Sequence, residues 1–246
     1  MAIDAIAKFV EENDGESAKS SLAAYFYKDA FTGSSYEKFF DIRENPNEFT
    51  AQDLVAVSML SVNIPPRVAK WVLNEGKTEL SELLKNIDPV DLSIKGEDVD
   101  LSKNSFPYKL WKSIRGRRDM GETKTSKLIA TKRPDLFPIF DRHVARALKI
   151  TKREYWLPWQ KFLRSENGER CIEKTRGFAD ELQIVGVSDL RLLDVIIWMR
   201  EHGHSYITED QVAAERMKAV SYESPKKNLD IRSKNKSAAA SPSSET

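Results

Sequence analysis

PYKLWKSIRGRRDMGETKTSKLIATKRPDLFPIFDRHVARAL, residues 107–148, is the stretch that decides the fold. Leu110, Trp111 and Ile114 fall on one helical face, with Lys109, Lys112 and Arg115 largely elsewhere. Gly116-Arg-Arg-Asp-Met-Gly121 breaks that helix. Thr123 to Lys132 resumes one, with Leu128 and Ile129 as apolar contacts. A proline-containing loop follows, and Asp141 then opens a further helix, RHVARALKI. A tight turn of this kind exposes backbone amides at the start of its second helix. With the helix dipole, they form a site for a phosphate. Gly121 reads as a turn requirement whatever the function. Asp141 is well placed as an N-cap, and capping is compatible with a functional role because a cap holds a carboxylate rigidly.

Helix signals continue outward on both sides. Four apolar-patterned segments open with a capping box: Ser34-x-x-Glu37, Thr50-x-x-Asp53, Thr151-x-x-Glu154 and Thr208-x-x-Gln211. Pro65 and Pro66 suit the first turn of RVAKWVLNE, with Gly76 expected to close it. Ser188 caps DLRLLDVIIWMREH, which is apolar on nearly every side and predicts the central buried helix. No period-2 run bounded by hairpin turns stands out. Residues 88–106 are the best linker candidate and have room for a short extended piece. Residues 221–246 are poor in apolar side chains and read as a disordered tail. The expectation is an all-α protein with one helical domain over residues 1–220 and a basic lobe at about 107–150.

Charge is uneven. Residues 1–102 hold 10 Lys/Arg against 19 Asp/Glu, residues 103–153 hold 15 against 4, and residues 154–246 hold 14 against 15. Such clustering in a nearly neutral chain points to a polyanion partner. The alternative is that the basic segment pairs with the chain's own acidic first third. Cys171 is the only cysteine, which excludes an intramolecular disulfide. With three histidines, it also argues against a structural zinc or iron–sulfur site, so no metal or other cofactor is expected. No apolar run is long enough to span a membrane, and the first residues lack a secretion signal's pattern. The expected location is the cytoplasm.

The segment Met120-Gly-Glu-Thr-Lys-Thr-Ser-Lys, followed by Phe137-Pro-Ile-Phe-Asp-Arg-His-Val, resembles the helix-hairpin-helix DNA glycosylases over about residues 107–150. Gly121 matches the second hairpin glycine of that family, and Asp141 matches its catalytic aspartate. Thr123 precedes Asp141 by the 18 positions that the family's pattern requires. The resemblance implies a helix-hairpin-helix glycosylase-like bundle that grips duplex DNA by its phosphates and acts on a flipped base. Phosphate contacts are expected from Gly121, Thr123, Lys124, Lys127, Arg117, Arg118, Lys132 and Arg133. Asp141 would stabilise the sugar cation that forms as an N-glycosidic bond breaks.

Thr123 stands where bifunctional members keep a Schiff-base lysine, and Lys124 lies about 100° away around the helix. Base excision without strand cleavage is the activity that survives. Asp119 replaces the first hairpin glycine, and Arg117 stands where an apolar residue would pin the hairpin. The longer pattern SKLxAxKRPxLxPxxD, residues 126–141, is similar to a bacterial family of unknown function, over about residues 22–203.

Tyr155, Trp156 and Trp159 are candidates for stacking on the flipped base, with core packing as the plainer alternative. Lys124, Lys127, Lys132 and Arg133 read alternatively as a solvated helix face. Trp71, Trp111 and Trp198 lie in apolar helical patterns and read as core. His143 reads as a packing or capping residue, His202 and His204 suit a helix end, and Cys171 reads as buried and inert. A non-catalytic DNA-binding module and a helical protein-interaction module remain the competing functions.

Overall fold

Ser105 accepts the Tyr108 amide at 3.3 Å, with Pro107 in the first turn, and so starts the helix that carries the basic hairpin. That local logic, a polar cap followed by an apolar stripe, recurs along the chain. The computed structural model describes residues 5–27, 31–89, 91–151 and 155–203. In order, these form α1 (Ala5–Glu11), α2 (Glu16–Tyr27), α3 (Ala51–Met59), α4 (Pro66–Leu73), α5 (Lys77–Lys85), α6 (Phe106–Arg115), α7 (Glu122–Ala130), α8 (Arg142–Ala147), α9 (Trp156–Leu163), α10 (Glu166–Glu181) and α11 (Asp189–Glu201). Two 3₁₀ stretches, Glu12–Gly15 and Thr32–Phe39, complete an all-helical protein, with no strand among the described residues. Residues 204–246 lie outside the description. They include the expected Thr208 box, His204 and the expected tail.

Helix α11 is the hub. Ser188 caps it by accepting the Arg191 amide at 3.3 Å, and nine of its residues are buried. It packs against α1, α2, α8 and α10, so both ends of the described chain meet on it. In the middle of the chain α5 packs on α6, α6 on α7, and α7 on α3.

Part of the basic segment ties these pieces together from within. The Lys127 ammonium donates to the Leu60 carbonyl at 2.9 Å. Lys132, 1% exposed, pairs at 2.7 Å with Asp53, which is 0% exposed. Arg133 is fully buried and donates to the carbonyls of Ile87, Pro46, Lys132 and Leu84 and to the Asn47 amide oxygen. These contacts fix the end of α7 onto α3 and the loops around α5. They correct the expectation that Lys127, Lys132 and Arg133 reach DNA phosphates, because each head group is already committed to buried oxygens.

Several caps differ from expectation. The Thr50–Asp53 box forms, with the Thr50 amide donating to Asp53 at 2.6 Å. Ser34 instead donates to the Phe31 carbonyl inside the 3₁₀ stretch, and Glu37 turns inward to Arg191. The Thr151–Glu154 box depends on residues 152–154, outside the description, and α9 begins at Trp156. Gly76 does not close α4, which ends at Leu73. It sits in the turn before α5, where an added Cβ would lie 2.3 Å from the Trp71 ring.

Residues 88–106 are no loose linker among the described positions. Ile94, Val99 and Leu101 are buried, Ile94 donates to the Asp135 carbonyl at 2.8 Å, and Gln160 of α9 donates to the Ile94 and Val99 carbonyls.

Candidate functional site

The α6–α7 turn is held by Arg115, which donates to the Met120 carbonyl at 3.1 Å and meets the Glu122 carboxylate at 3.2 Å. Gly121 is the N-cap of α7 in extended conformation, with φ −117°, and a Cβ there would meet nothing within 4 Å. The left-handed position in the turn belongs to Asp119, at φ 66°. Asp tolerates that region better than most side chains. The expected glycine requirement at Gly121 is therefore corrected: its backbone demands no glycine.

Helix α7 separates two cavities. Glu122 and Ser126 face one, while Thr123 and Lys127, a turn apart, face the other. The loop after α7 runs to Asp141, which caps α8 by accepting the His143 amide at 2.8 Å. Thr123 and Asp141 line the same cavity of about 500 Å³. Its other wall is one face of α11, where Arg191, Asp194, Val195, Trp198 and His202 recur at helical spacing. Tyr25 of α2 and Phe31 add an aromatic side. Their rings stack at 5.4 Å, and Trp198 meets Phe31 edge-on at 5.8 Å. His143 and His202 lie with ring centroids 4.1 Å apart.

A buried charge network underlies this cavity. Arg191 donates from Nε to Glu37 at 3.1 Å, from Nη1 to Asp194 at 2.7 Å, and from Nη2 to the Tyr25 hydroxyl at 2.6 Å. Burial works against the Arg191 charge, but Tyr25, Glu37 and Asp194 more than offset it and hold its pKa above the ordinary arginine value. Burial pushes Asp194 up to about 6, against the pull of Arg191. Burial also raises Glu37, again opposed by Arg191. Burial lowers Lys127, opposed by Asp141 and then by Asp194. His143 is lowered by desolvation and by neighbouring His202.

The remaining candidates divide. Arg118 is well exposed beside Asp119, and Lys124 donates to the Asp119 carbonyl at 3.2 Å. Arg117 lies over the Trp71 ring at 3.5 Å, in the place where an apolar residue was expected to pin the hairpin. The flat guanidinium does that work by stacking. The base-stacking expectation fails for Tyr155 and Trp159, which are buried in the core; the Tyr155 hydroxyl donates to the Ile139 carbonyl at 2.6 Å. Trp156 is partly exposed but lines the cavity on the other side of α7, with Tyr108 and Trp111, away from Asp141. Trp71, Trp111 and Trp198 are only half-buried rather than core. Cys171 is buried, and burial pushes its thiol up to about 11.

The site residues missing from the sequence-based reading are Tyr25, Phe31, Glu37, Arg191, Asp194 and Trp198. One signal was available: an Arg and an Asp three positions apart inside a helix otherwise apolar all round. Among the described residues there is no group of three or more His, Cys, Asp or Glu side chains arranged to hold a metal ion. Nor is any helix among them long and apolar enough to cross a membrane.

The chain belongs to a family described as a Family of unknown function (DUF6308), whose model matches residues 18–201. No curated protein and no solved structure matches it.

Proposed function

We propose that this protein is a DNA-binding protein related to the helix-hairpin-helix base-excision glycosylases, and that the cavity at Asp141 receives a base swung out of the duplex. The observation that carries this reading is that Thr123 and Asp141, 18 positions apart, line one cavity beside a glycine-turn helical hairpin. Its volume of about 500 Å³ lies within the usual range for small-molecule sites. Tyr25, Phe31 and Trp198 supply aromatic surface there in place of Tyr155, Trp156 and Trp159. Asp141 is held rigid by its cap to α8. A fixed carboxylate of this kind stabilises positive charge building on a sugar as its N-glycosidic bond breaks. Thr123 has no amine for a Schiff base, so the reaction is base release without strand cleavage. Phosphate contacts come from Arg118, which stays exposed among the expected residues, together with Lys124, the amides at the start of α7 and the exposed Arg142 beside Asp141.

A second reading has one observation in its favour. Lys127, Lys132 and Arg133 are spent on residues 46–87, as expected if part of the basic segment serves to dock on the chain's own first third. That reading makes the protein a helical interaction module without nucleic acid.

Binding to short duplexes, unmodified and containing an abasic-site analogue, across a salt series separates the two. Tighter binding to the abasic analogue, with affinity falling as salt rises, supports the cavity reading. No binding at low salt sinks it. Loss of base release in Asp141→Asn, with duplex binding retained, assigns the chemistry to Asp141.

A further inference from the structure

Across α7 from Asp141 lies a second cavity of about 520 Å³, within the usual range for small-molecule sites. Five aromatic rings line it: Tyr108 and Trp111 of α6, Phe140 of the loop before α8, and Tyr155 and Trp156 at the start of α9. Phe140 and Tyr155 are buried, whereas Tyr108, Trp111 and Trp156 are only half-buried. Leu157, in the same wall, is 57% exposed. The chemistry at Asp141 uses none of these side chains.

The angles between the rings restrict what they can hold. Trp111 and Trp156 stand at 79° with centroids 6.1 Å apart. Phe140 and Tyr155 stand at 67° and 4.8 Å, and Tyr108 and Trp111 at 36° and 5.7 Å. A flat ring stacks best between parallel faces, and none of these pairs is parallel. Crossed rings instead offer π faces from several directions, which suits a rounded cation. Two polar groups of the wall are already spent. The Tyr155 hydroxyl donates to the Ile139 carbonyl at 2.6 Å. The Ser126 hydroxyl accepts the Phe140 amide at 2.8 Å and donates to the Thr123 carbonyl at 3.1 Å. Neither is left to read the hydrogen-bonding edge of a ligand.

Charge points the same way. Glu122, at the start of α7, lines the cavity with its side chain 21% exposed. Its partner Arg115, at 3.2 Å, is not part of the lining. The cation in the lining, Lys103, is exposed, and solvent screens an exposed ammonium more than a half-buried carboxylate.

We propose that this cavity is a cage for a methylated ammonium group, borne by a small quaternary amine or by a methylated lysine side chain. The methyl groups lie against the crossed rings, and the Glu122 carboxylate balances the charge. An unmethylated ammonium is more strongly hydrated and leaves water less readily. The cage lies across α7 from Thr123 and Asp141 and does not depend on base release.

The test is calorimetric titration of the full chain with two pairs of probes. One pair is choline and the neutral alcohol in which carbon replaces the choline nitrogen. The other is a short peptide carrying trimethyllysine and its unmodified counterpart. Choline or the trimethyllysine peptide should bind at least about 5-fold more tightly than its control. The tighter of the two identifies the source of the group, and either supports the cage. Trp156→Ala should abolish that binding, while Trp198→Ala, in the Asp141 cavity, should leave it unchanged. Glu122→Gln should weaken choline several-fold and leave the neutral alcohol unchanged. Equal binding of each probe and its control overturns the proposal, because an apolar cavity alone would give it. No saturable binding up to about 10 mM of choline or the trimethyllysine peptide also overturns it. If Trp156→Ala fails to fold, Glu122→Gln decides: an unchanged preference for choline over the neutral alcohol overturns the assignment.

Discussion

Replacing Lys132 with Met removes half of an ion pair that the protein has buried completely. The two side chains are 1% and 0% exposed and 2.7 Å apart. Asp53 cannot turn away to find water, because its carboxylate also receives the Thr50 amide and hydroxyl at the start of α3. All of these contacts fall on Oδ2, and Oδ1 is buried with no hydrogen-bond partner. Lys132→Met therefore leaves a carboxylate in the core with neutral donors only, a situation that costs about 3–5 kcal/mol. In a chain of this size each kcal/mol is worth about 2–4 °C in Tm, so a fall of about 6–20 °C is expected. Urea unfolding followed by circular dichroism measures the loss. Adding Asp53→Asn should recover most of it, since the amide oxygen can still accept the Thr50 amide. The same variant should bind DNA with an unchanged salt slope, because the Lys132 head group does not reach solvent. A stability loss below about 1 kcal/mol, together with a salt slope reduced by about one unit, refutes this reasoning. It would put Lys132 on the surface, against a phosphate, and undo the packing of α7 on α3.

Other outcomes follow from the same geometry. Gly121→Ser should leave stability unchanged or raise it by up to about 1 kcal/mol, since a hydroxyl at an N-cap suits the free amides and a Cβ meets open space. Gly76→Ala should cost about 1–3 kcal/mol against the Trp71 ring, and thermal melts of both variants check the contrast. Asp194, with its folded pKa raised by burial to about 6 from the usual 3.8, binds its proton more tightly folded than unfolded. Its contribution to stability is present below about 4 and is lost as pH rises to about 6. Unfolding of Asp194→Asn across that range should lack this fall, and identical profiles would contradict the burial of Asp194. Trp198→Ala should weaken binding to the abasic-analogue duplex, while Trp156→Ala should leave it unchanged, because Trp156 belongs to the cavity across α7. Equal effects would mean that the two cavities act as one site.

The helices were legible wherever a local rule forms them. Ser188 and α11, the Thr50–Asp53 box and Pro66 at the start of α4 all follow from groups within four residues of each other. The capping position of Asp141 was legible for the same reason. The Ser34 box failed because its Glu37 had a stronger partner 154 positions away, the buried Arg191. Gly121 was misread because Asp119, not a glycine, takes up the left-handed backbone of that turn.

The fate of each charge was beyond any local rule. Lys124 and Lys127 look alike in the chain, yet one braces the hairpin surface and the other is buried against the end of α3. Arg118 stays in solvent, whereas Arg133 collects carbonyls from three separate loops. Sequence alone determined the helical character of the described residues, the turn between α6 and α7 with its basic side chains, and the helix that Asp141 opens. Those depend on periodicity and on hydrogen bonds a few residues long. Only the tertiary structure decided which cations remain free for a partner, that Thr123 and Asp141 share a cavity, and that Asp194 faces it. Desolvation and ion pairing depend on what the rest of the chain brings within a few ångströms, and for Arg191 or Lys132 that neighbour lies many tens of positions away.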